Sequence, residues 1–355
     1  MSSRKNTDRD ELIALLQLRM LRVPDATLNE LLPKQSPQTL ARKFHHQLDD
    51  TIARRVASAL REVDRMQVGV VTVADAQYPD KLHELGAEKP PILFYRGDWN
   101  LLDTKIVAIV GTRRSTEYGN DVAHSLAGDL TRYGITIISG LALGIDAHAH
   151  TGALEFGGKT IAVLGCGIDV LYPHRNARLQ ERIANHGLLI SEFAPGEPAM
   201  KHHFLQRNRL IAKFAGGVIV VEAGMKSGSN NTVEWATRYG VEVFAVPGPI
   251  GRDASLGTNA LIFEGANIVI SVRDVIEQLP WDVTLLPPPP APKVPNGVAN
   301  GAATLFDVLG PVAMQIDQIA RAASCDTAAA LAGLAQLELD GLVRQLPGKR
   351  FVRVG

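Results

Sequence analysis

Residues 107–119 read VAIVGTRRSTEYG. An apolar run of strand length enters Gly111, which permits a tight turn. Thr112, Arg113, Arg114 and Ser115 follow, and a helix begins near Tyr118 and Gly119. The run shows no period-two alternation, so a strand here is buried on both faces. Runs of this kind stand at 106–110, 135–138, 160–164, 188–191, 217–222, 241–246 and 268–270, most bounded by glycine and separated by helical stretches. That rhythm predicts an α/β chain with a doubly wound, Rossmann-like sheet covered by helices.

On the N-terminal side the pattern is mainly helical. Apolar residues spaced by three and four predict helices at 11–20, with Asp8 or Asp10 as cap, and at 27–32, 36–46 and 48–64. These make a small helical, SAM-like domain over 1–85. Strand-like runs at 68–73 and 92–95 follow, separated by YPDKL at 78–82, a turn that starts a short helix. The Rossmann-like domain is expected over 86–280. On the C-terminal side, LPPPPAPKVPNGVANGAA marks a semi-rigid, extended linker over 281–302. Helices at 303–309, 316–323 and 327–340, then a hairpin of 342–346 and 351–354 across Pro347-Gly348-Lys349, predict a winged-helix domain over 303–355.

The chain of 355 residues is too long for one compact core, so two or three domains are expected. Lys plus Arg equals Asp plus Glu at 37 each, so any nucleic-acid binding must use a local patch. Cys166 and Cys325 are far apart and form no metal-ligand pattern, which fits a reducing cytoplasm. The N-terminal MSSRKNTDRDELIALLQ has no apolar signal stretch, and no segment is apolar for long enough to span a bilayer. A cytoplasmic protein with no membrane association is expected.

Open parallel sheets bind ligands outside the carboxyl ends of their strands, so the loops after the strands carry the chemistry. After the first strand, the backbone N–H groups of Gly111 and Thr112 and the guanidinium groups of Arg113 and Arg114 would attract phosphate oxygens. The alternative for the two arginines is surface ion pairing. The segment is not G-x-G-x-x-G, so the dinucleotide fingerprint is absent. In ISGLALGIDAHAHTGAL, residues 138–154, Asp146, His148 and His150 suggest a metal, but side chains two apart on a helix diverge. Helix capping by Asp146 and packing by the histidines are the expected roles, and no metal site is expected. Cys166, between Gly165 and Gly167, reads as a small residue at a crowded strand end rather than a nucleophile.

MKHHFLQRNRLIAKFAGG, from residue 200, is basic with an aromatic inside it: Lys201, Phe204, Arg207 and Asn208 lie on one helical stretch. Cations that track a backbone and a ring that stacks on a base are the means by which proteins hold single strands. Ser227, Gly228 and Ser229 then open another helix, a further phosphate-binding arrangement. The bland readings are a solvated helix face and an ordinary helix cap.

At these residues the sequence resembles the DNA-processing protein A family (DprA, also called Smf). The shared motifs are VAIVGTRRSTEYG, SGLALGIDAHAHTGAL, AVLGCGIDVLYP, FLQRNRLIA, VIVVEAGMKSGS and AVPGPIGRDASLGTNALI, in that order. The resemblance implies a non-enzymatic protein, without cofactor, that binds and protects single-stranded DNA in natural transformation and loads the recombinase RecA. It also implies a homodimer built through the Rossmann domain, with single-strand-binding protein as a further candidate partner. Carried over by motif, the DNA-contacting residues are Arg113, Lys201 and Phe204. Two other readings compete. Lysine-decarboxylase-like phosphoribohydrolases share such a sheet and use P-G-G-x-G-T-x-x-E. Here SGSNNTVEWA, from residue 227, offers Thr232 and Glu234 but lacks the double glycine and the spacing. A pure interaction module fits the neutral charge but not the arginines and glycines at strand ends. In the winged helix, CDTAAALAGLAQLELDGLV has no Lys or Arg, so protein contact or weak duplex binding through Arg344, Lys349, Arg350 and Arg353 is expected.

Overall fold

The computed structural model describes residues 9–285, 300–309, 314–340, 342–346 and 348–353. Asp8, Pro347, Val354 and most of the expected linker (286–299) lie outside them. The chain divides into two compact units, the second made of the residues from Leu285 onward together with Glu155–Gly157.

The first unit is organised by a nine-stranded sheet. Its strands are β1 (Gly69–Thr72), β2 (Ile92–Gly97), β3 (Ile106–Val110), β4 (Thr136–Ser139), β5 (Thr160–Leu164), β6 (Leu188–Ser191), β7 (Gly217–Val220), β8 (Glu242–Ala245) and β9 (Asn267–Ile268). Their order is β1-β2-β6-β5-β4-β3-β7-β8-β9. All pairings from β6 to β9 are parallel, while β2 pairs antiparallel with both β1 and β6. The chain leaves β3 one way through β4, β5 and β6, then returns to the other flank of β3 for β7, β8 and β9. The doubly wound reading is therefore correct, and its switch point lies between β3 and β7.

Every residue of β3 to β7 is buried, which is why these strands read as continuous apolar runs. Alternate residues of β3 serve opposite layers. Val107 and Ile109 pack with Ala123, Ala127 and Leu130 of the helix Glu117–Thr131; Ile106, Ala108 and Val110 pack in the other layer with Leu210 and Phe214. Each buried Val, Ile, Leu or Phe among them contributes about 1.5–3 kcal/mol.

The N-terminal helices, Arg9–Met20, Asp25–Leu31, Pro37–Lys43 and Asp50–Met66, enclose Leu15, Leu16, Leu28 and Leu40. Ser36 and Asp49 cap the third and fourth, accepting from Thr39 N–H at 3.2 Å and Ile52 N–H at 2.7 Å. Asp10 lies inside the first helix rather than at its cap. The helices continue directly into β1, and β1 pairs with β2 across the expected boundary at residue 85. Helical segment and sheet thus belong to one compact unit. Arg19 fastens them, donating to the Glu192 carbonyl at 2.9 Å and pairing with Asp25 at 2.5 Å.

The second unit has helices Asn300–Val308, Ile316–Ala322 and Thr327–Leu339. Its antiparallel sheet, β10 (Met314–Gln315), β11 (Val343–Leu346) and β12 (Arg350–Arg353), has the order β10-β12-β11. Phe306, Ile319, Leu334, Leu337 and Phe351 fill its core. Three helices with a β-wing form a winged helix, with β10 as a short strand that the sequence pattern does not announce. No helix among the described residues is long and apolar enough to cross a membrane.

Candidate nucleic-acid interface

The loops that follow β3, β4 and β5 meet the first turns of the helix Lys201–Phe214 at the carboxyl end of the sheet. They enclose a cleft of about 50 Å³ whose walls include Arg113, Gly140, Leu143, Gly165, Tyr172 and Phe204. The exposed Arg113 places its guanidinium 4.9 Å from the Phe204 ring centroid. Tyr172, 39% exposed, sets its ring 5.5 Å from the same ring at an interplanar angle of 31°. A cation and two aromatic faces therefore stand in sequence along the rim. Gly165 makes this possible: a Cβ there would stand 2.6 Å from Phe204 Cδ1. Lys201 is exposed at the start of the same helix. Tyr172 is the site residue that sequence reading misses, because only a turn signal, Tyr-Pro, marks it.

The expected contribution of Arg207 needs correction. It is 3% exposed. Its Nη1 donates to the carbonyls of Gly140, at 2.8 Å, and Val163, and its Nε to Asn208 Oδ1 at 3.2 Å. Burial pulls its pKa down to about 10, against the opposing charge of Asp146. Arg207 thus lies buried beneath the cleft wall, against Gly140, where it braces the ends of β4 and β5. Asn208 is also buried; its Nδ2 reaches Asn231 Oδ1 at 3.3 Å and so ties this helix to the one that follows the SGS loop. Arg209 is buried as well, held by both carboxylate oxygens of Glu192 at 2.7 Å.

The loop after β4 is braced from beneath. Leu141 is fully buried with φ +57°, a left-handed conformation costly for a leucine. The Asp146 carboxylate accepts from Gly140 N–H at 3.1 Å and Ala142 N–H at 3.3 Å; Asn176 Nδ2 donates to the carbonyls of Leu141 and Ala142 at 2.9 and 3.1 Å. Asp146 therefore shapes the preceding loop instead of capping its own helix. Burial pushes its carboxyl above the usual range, with Arg207 opposing. His150 is fully buried with Nδ1 2.7 Å from Thr160 Oγ1, and burial pushes its pKa down to about 3. Burial pushes the Cys166 thiol up to about 11, which suits packing and not nucleophilic attack. Among the described residues no three His, Cys, Asp or Glu side chains converge as metal ligands.

The remaining candidates divide into shapers and presenters. Gly111 packs against Ile145 and the Glu222 carbonyl, and Thr112 N–H donates to that carbonyl at 2.7 Å. Both shape the turn that projects Arg113 and the exposed Arg114. Ser227 and Ser229 share a hydrogen bond between hydroxyls at 2.7 Å, and Gly228 is exposed between them. The Glu222 side chain, 3% exposed, enters the first turn of the helix Glu117–Thr131. Its oxygens accept from Thr116 N–H at 2.8 Å and Thr116 Oγ1 at 2.5 Å. The hydrolase-like pair does not converge: Thr232 is buried and Glu234 exposed.

Residues 69–280 match the family model of DNA recombination-mediator protein A, and residues 287–349 match that of the DprA winged helix domain. The chain is 46% identical over 207 residues to DNA processing protein DprA of Streptococcus pneumoniae, across 58% of this chain and 73% of that protein. The X-ray structure of DprA from Streptococcus pneumoniae aligns with a TM-score of 0.62 at 36% identity, covering 78% of this chain and 96% of that one. A structure of DNA processing protein A from Helicobacter pylori, described for its single-stranded DNA binding mode, aligns with a TM-score of 0.55 at 34% identity, covering 60% and 95%. With more than half its length inside one family model, the chain belongs to the DNA recombination-mediator protein A (DprA/Smf) family.

Proposed function

We propose that this protein binds single-stranded DNA along the carboxyl edge of its central sheet and acts as a recombination mediator, not as an enzyme. The observation that carries the reading is the line Arg113–Phe204–Tyr172, with Lys201 exposed on the same helix as the ring. Cations neutralise successive phosphates while the aromatic faces take unstacked bases. Arg114 and the Ser227–Ser229 loop would extend the phosphate track, with Gly111 and Thr112 shaping it and Arg207 and Asn208 supporting it from below. The single-stranded DNA binding mode named for the Helicobacter pylori relative supports the same ligand. The inert settings of Cys166 and His150 favour binding over catalysis.

Protection of DNA taken up in transformation, and transfer of that DNA to RecA, belong to this reading through the family's role as recombination mediators. Displacement of single-strand-binding protein fits the same step. A homodimer through the edge strand β9 is supported by the exposure of Phe263 (93%), Ile268 and Ile270 (78%) around it. The free thiols of Cys166 and Cys325 fit a reducing cytoplasm.

The decisive measurement is fluorescence anisotropy of a labelled oligo(dT) with wild type and with Arg113→Glu/Lys201→Glu. The double variant is expected to keep its thermal unfolding transition and lose binding. Unchanged binding by the folded variant would remove the site. RecA filament growth on oligonucleotide coated with single-strand-binding protein, with and without this protein, tests the mediator step.

A further inference from the structure

We propose that Glu222 is a specificity-determining residue that closes the switch point of the sheet to mono- and dinucleotides. In doubly wound sheets the crevice between strands whose connections diverge takes a nucleotide, with its phosphate on the N-terminus of the following helix. Here that crevice lies between β3 and β7, and that helix is Glu117–Thr131. The position is already filled from within the chain. Glu222, two residues beyond β7, turns its carboxylate onto the cap of that helix, one oxygen on Thr116 N–H and the other on Thr116 Oγ1, with the carboxyl group against Gly119 of the first turn.

Three features make this a built arrangement. Gly119 faces the carboxylate, and a Cβ at that position would overlap the carboxyl group itself. The backbone of Glu222 is pinned by Thr112 N–H, which fixes the direction of the side chain. The side chain is buried, so it cannot swing out as a surface residue does. A carboxylate offers an anion's charge and acceptor oxygens to donors that would otherwise bind phosphate, and it meets an incoming phosphate with like charge at contact. Free nucleotides are therefore refused where the fold usually receives them. Phosphates can be held only farther out, beside Arg113, where a polymer is gripped at several points. The inference concerns what the molecule excludes, and it stands whether or not the rim binds DNA.

The test is isothermal titration of full-length wild type, Glu222→Ala and Glu222→Gln with AMP, and separately with inorganic pyrophosphate. Wild type is expected to bind neither measurably. Glu222→Ala, which removes charge and bulk, is expected to bind AMP at least about tenfold more tightly than wild type, and Glu222→Gln, which removes charge alone, to gain less. A helix cap without a gating role would lower the melting temperature on removal and leave nucleotide affinity unchanged. A retained cooperative thermal unfolding transition reports that each variant is folded. Measurable AMP binding by wild type at the affinity of the variants overturns the proposal, as does a folded variant with no gain. Should Glu222→Ala lose its unfolding transition, Glu222→Gln decides by the same criterion.

Discussion

Arg113 lines the rim of the cleft and Arg207 lies buried in the floor beneath its wall, against Gly140, and they illustrate what burial does to a charge. Arg113 keeps its hydration and faces a ring. Arg207 has surrendered its hydration to two backbone carbonyls and stands beside the buried Asp146. A guanidinium at the rim remains free to meet a phosphate; in the floor it holds the loops that aim the rim. A basic motif in a sequence thus mixes residues that touch a ligand with residues that build the place where it is touched.

Substitutions at four positions sharpen or break this contrast. The largest effect belongs to the buried ion pair of Glu192 with Arg209. Burial, the largest single influence, pushes its carboxyl up, but Arg209, Arg19 and Gln206 together hold it below the usual carboxylate range. Glu192→Ala strands a buried guanidinium and is expected to cost about 3–5 kcal/mol in urea unfolding. A carboxyl whose folded pKa is depressed stabilises fully above its unfolded value and loses that contribution as pH falls through the folded value. The wild type should therefore lose more stability on acidification below about pH 4 than Glu192→Gln does.

Next comes the direct comparison. Arg207→Met leaves the carbonyls of Gly140 and Val163 unpaired and Asp146 uncompensated, for about 2–4 kcal/mol of stability. Arg113→Ala is expected to change stability by no more than about 0.5 kcal/mol, yet to weaken oligo(dT) binding about tenfold and lower the salt slope by about one. Equal stability losses in the two variants would erase the distinction between rim and floor. The ring gives an effect on binding of similar size but of a different kind. Phe204→Leu should weaken binding by about 1–2 kcal/mol with no change in salt slope, because stacking neutralises no phosphate. A changed slope would mean that the ring acts by positioning Arg113.

Much of the sheet was legible in the sequence, because strands buried on both faces leave apolar runs that few other structures require. Less legible were the elements whose surroundings are set from afar. β1 and β2 read as isolated strands; only the pairing of β2 with β6, and of β1 with β2, makes them part of the sheet. Residues 221–222 look like the end of a strand, yet β7 stops at Val220 and Glu222 serves the neighbouring helix. Within the site, Lys201 and Phe204 were readable as a cation and a ring. Arg207 was not readable as buried, since its motif is equally basic there. The helix explains the outcome: steps of three residues fall short of a full turn, so Arg207 points roughly 120° away from Lys201, toward the core. Tyr172 and Leu141 arrive from other strand ends, and no local pattern marks either as a neighbour of Phe204.

The two margins of the sheet differ in a way that bears on counting. At one margin β1 is almost wholly buried, and the Asp75 carboxylate takes the Thr72 N–H. At the other, β9 is two residues long, with Ile268 exposed. A sheet with both margins open can add copies without limit, as fibres do. With only one open margin, two copies that join edge to edge consume everything available for joining. The dimer proposed through β9 would by this route stop at a pair, because the far margin, β1, offers no exposed strand of the same kind.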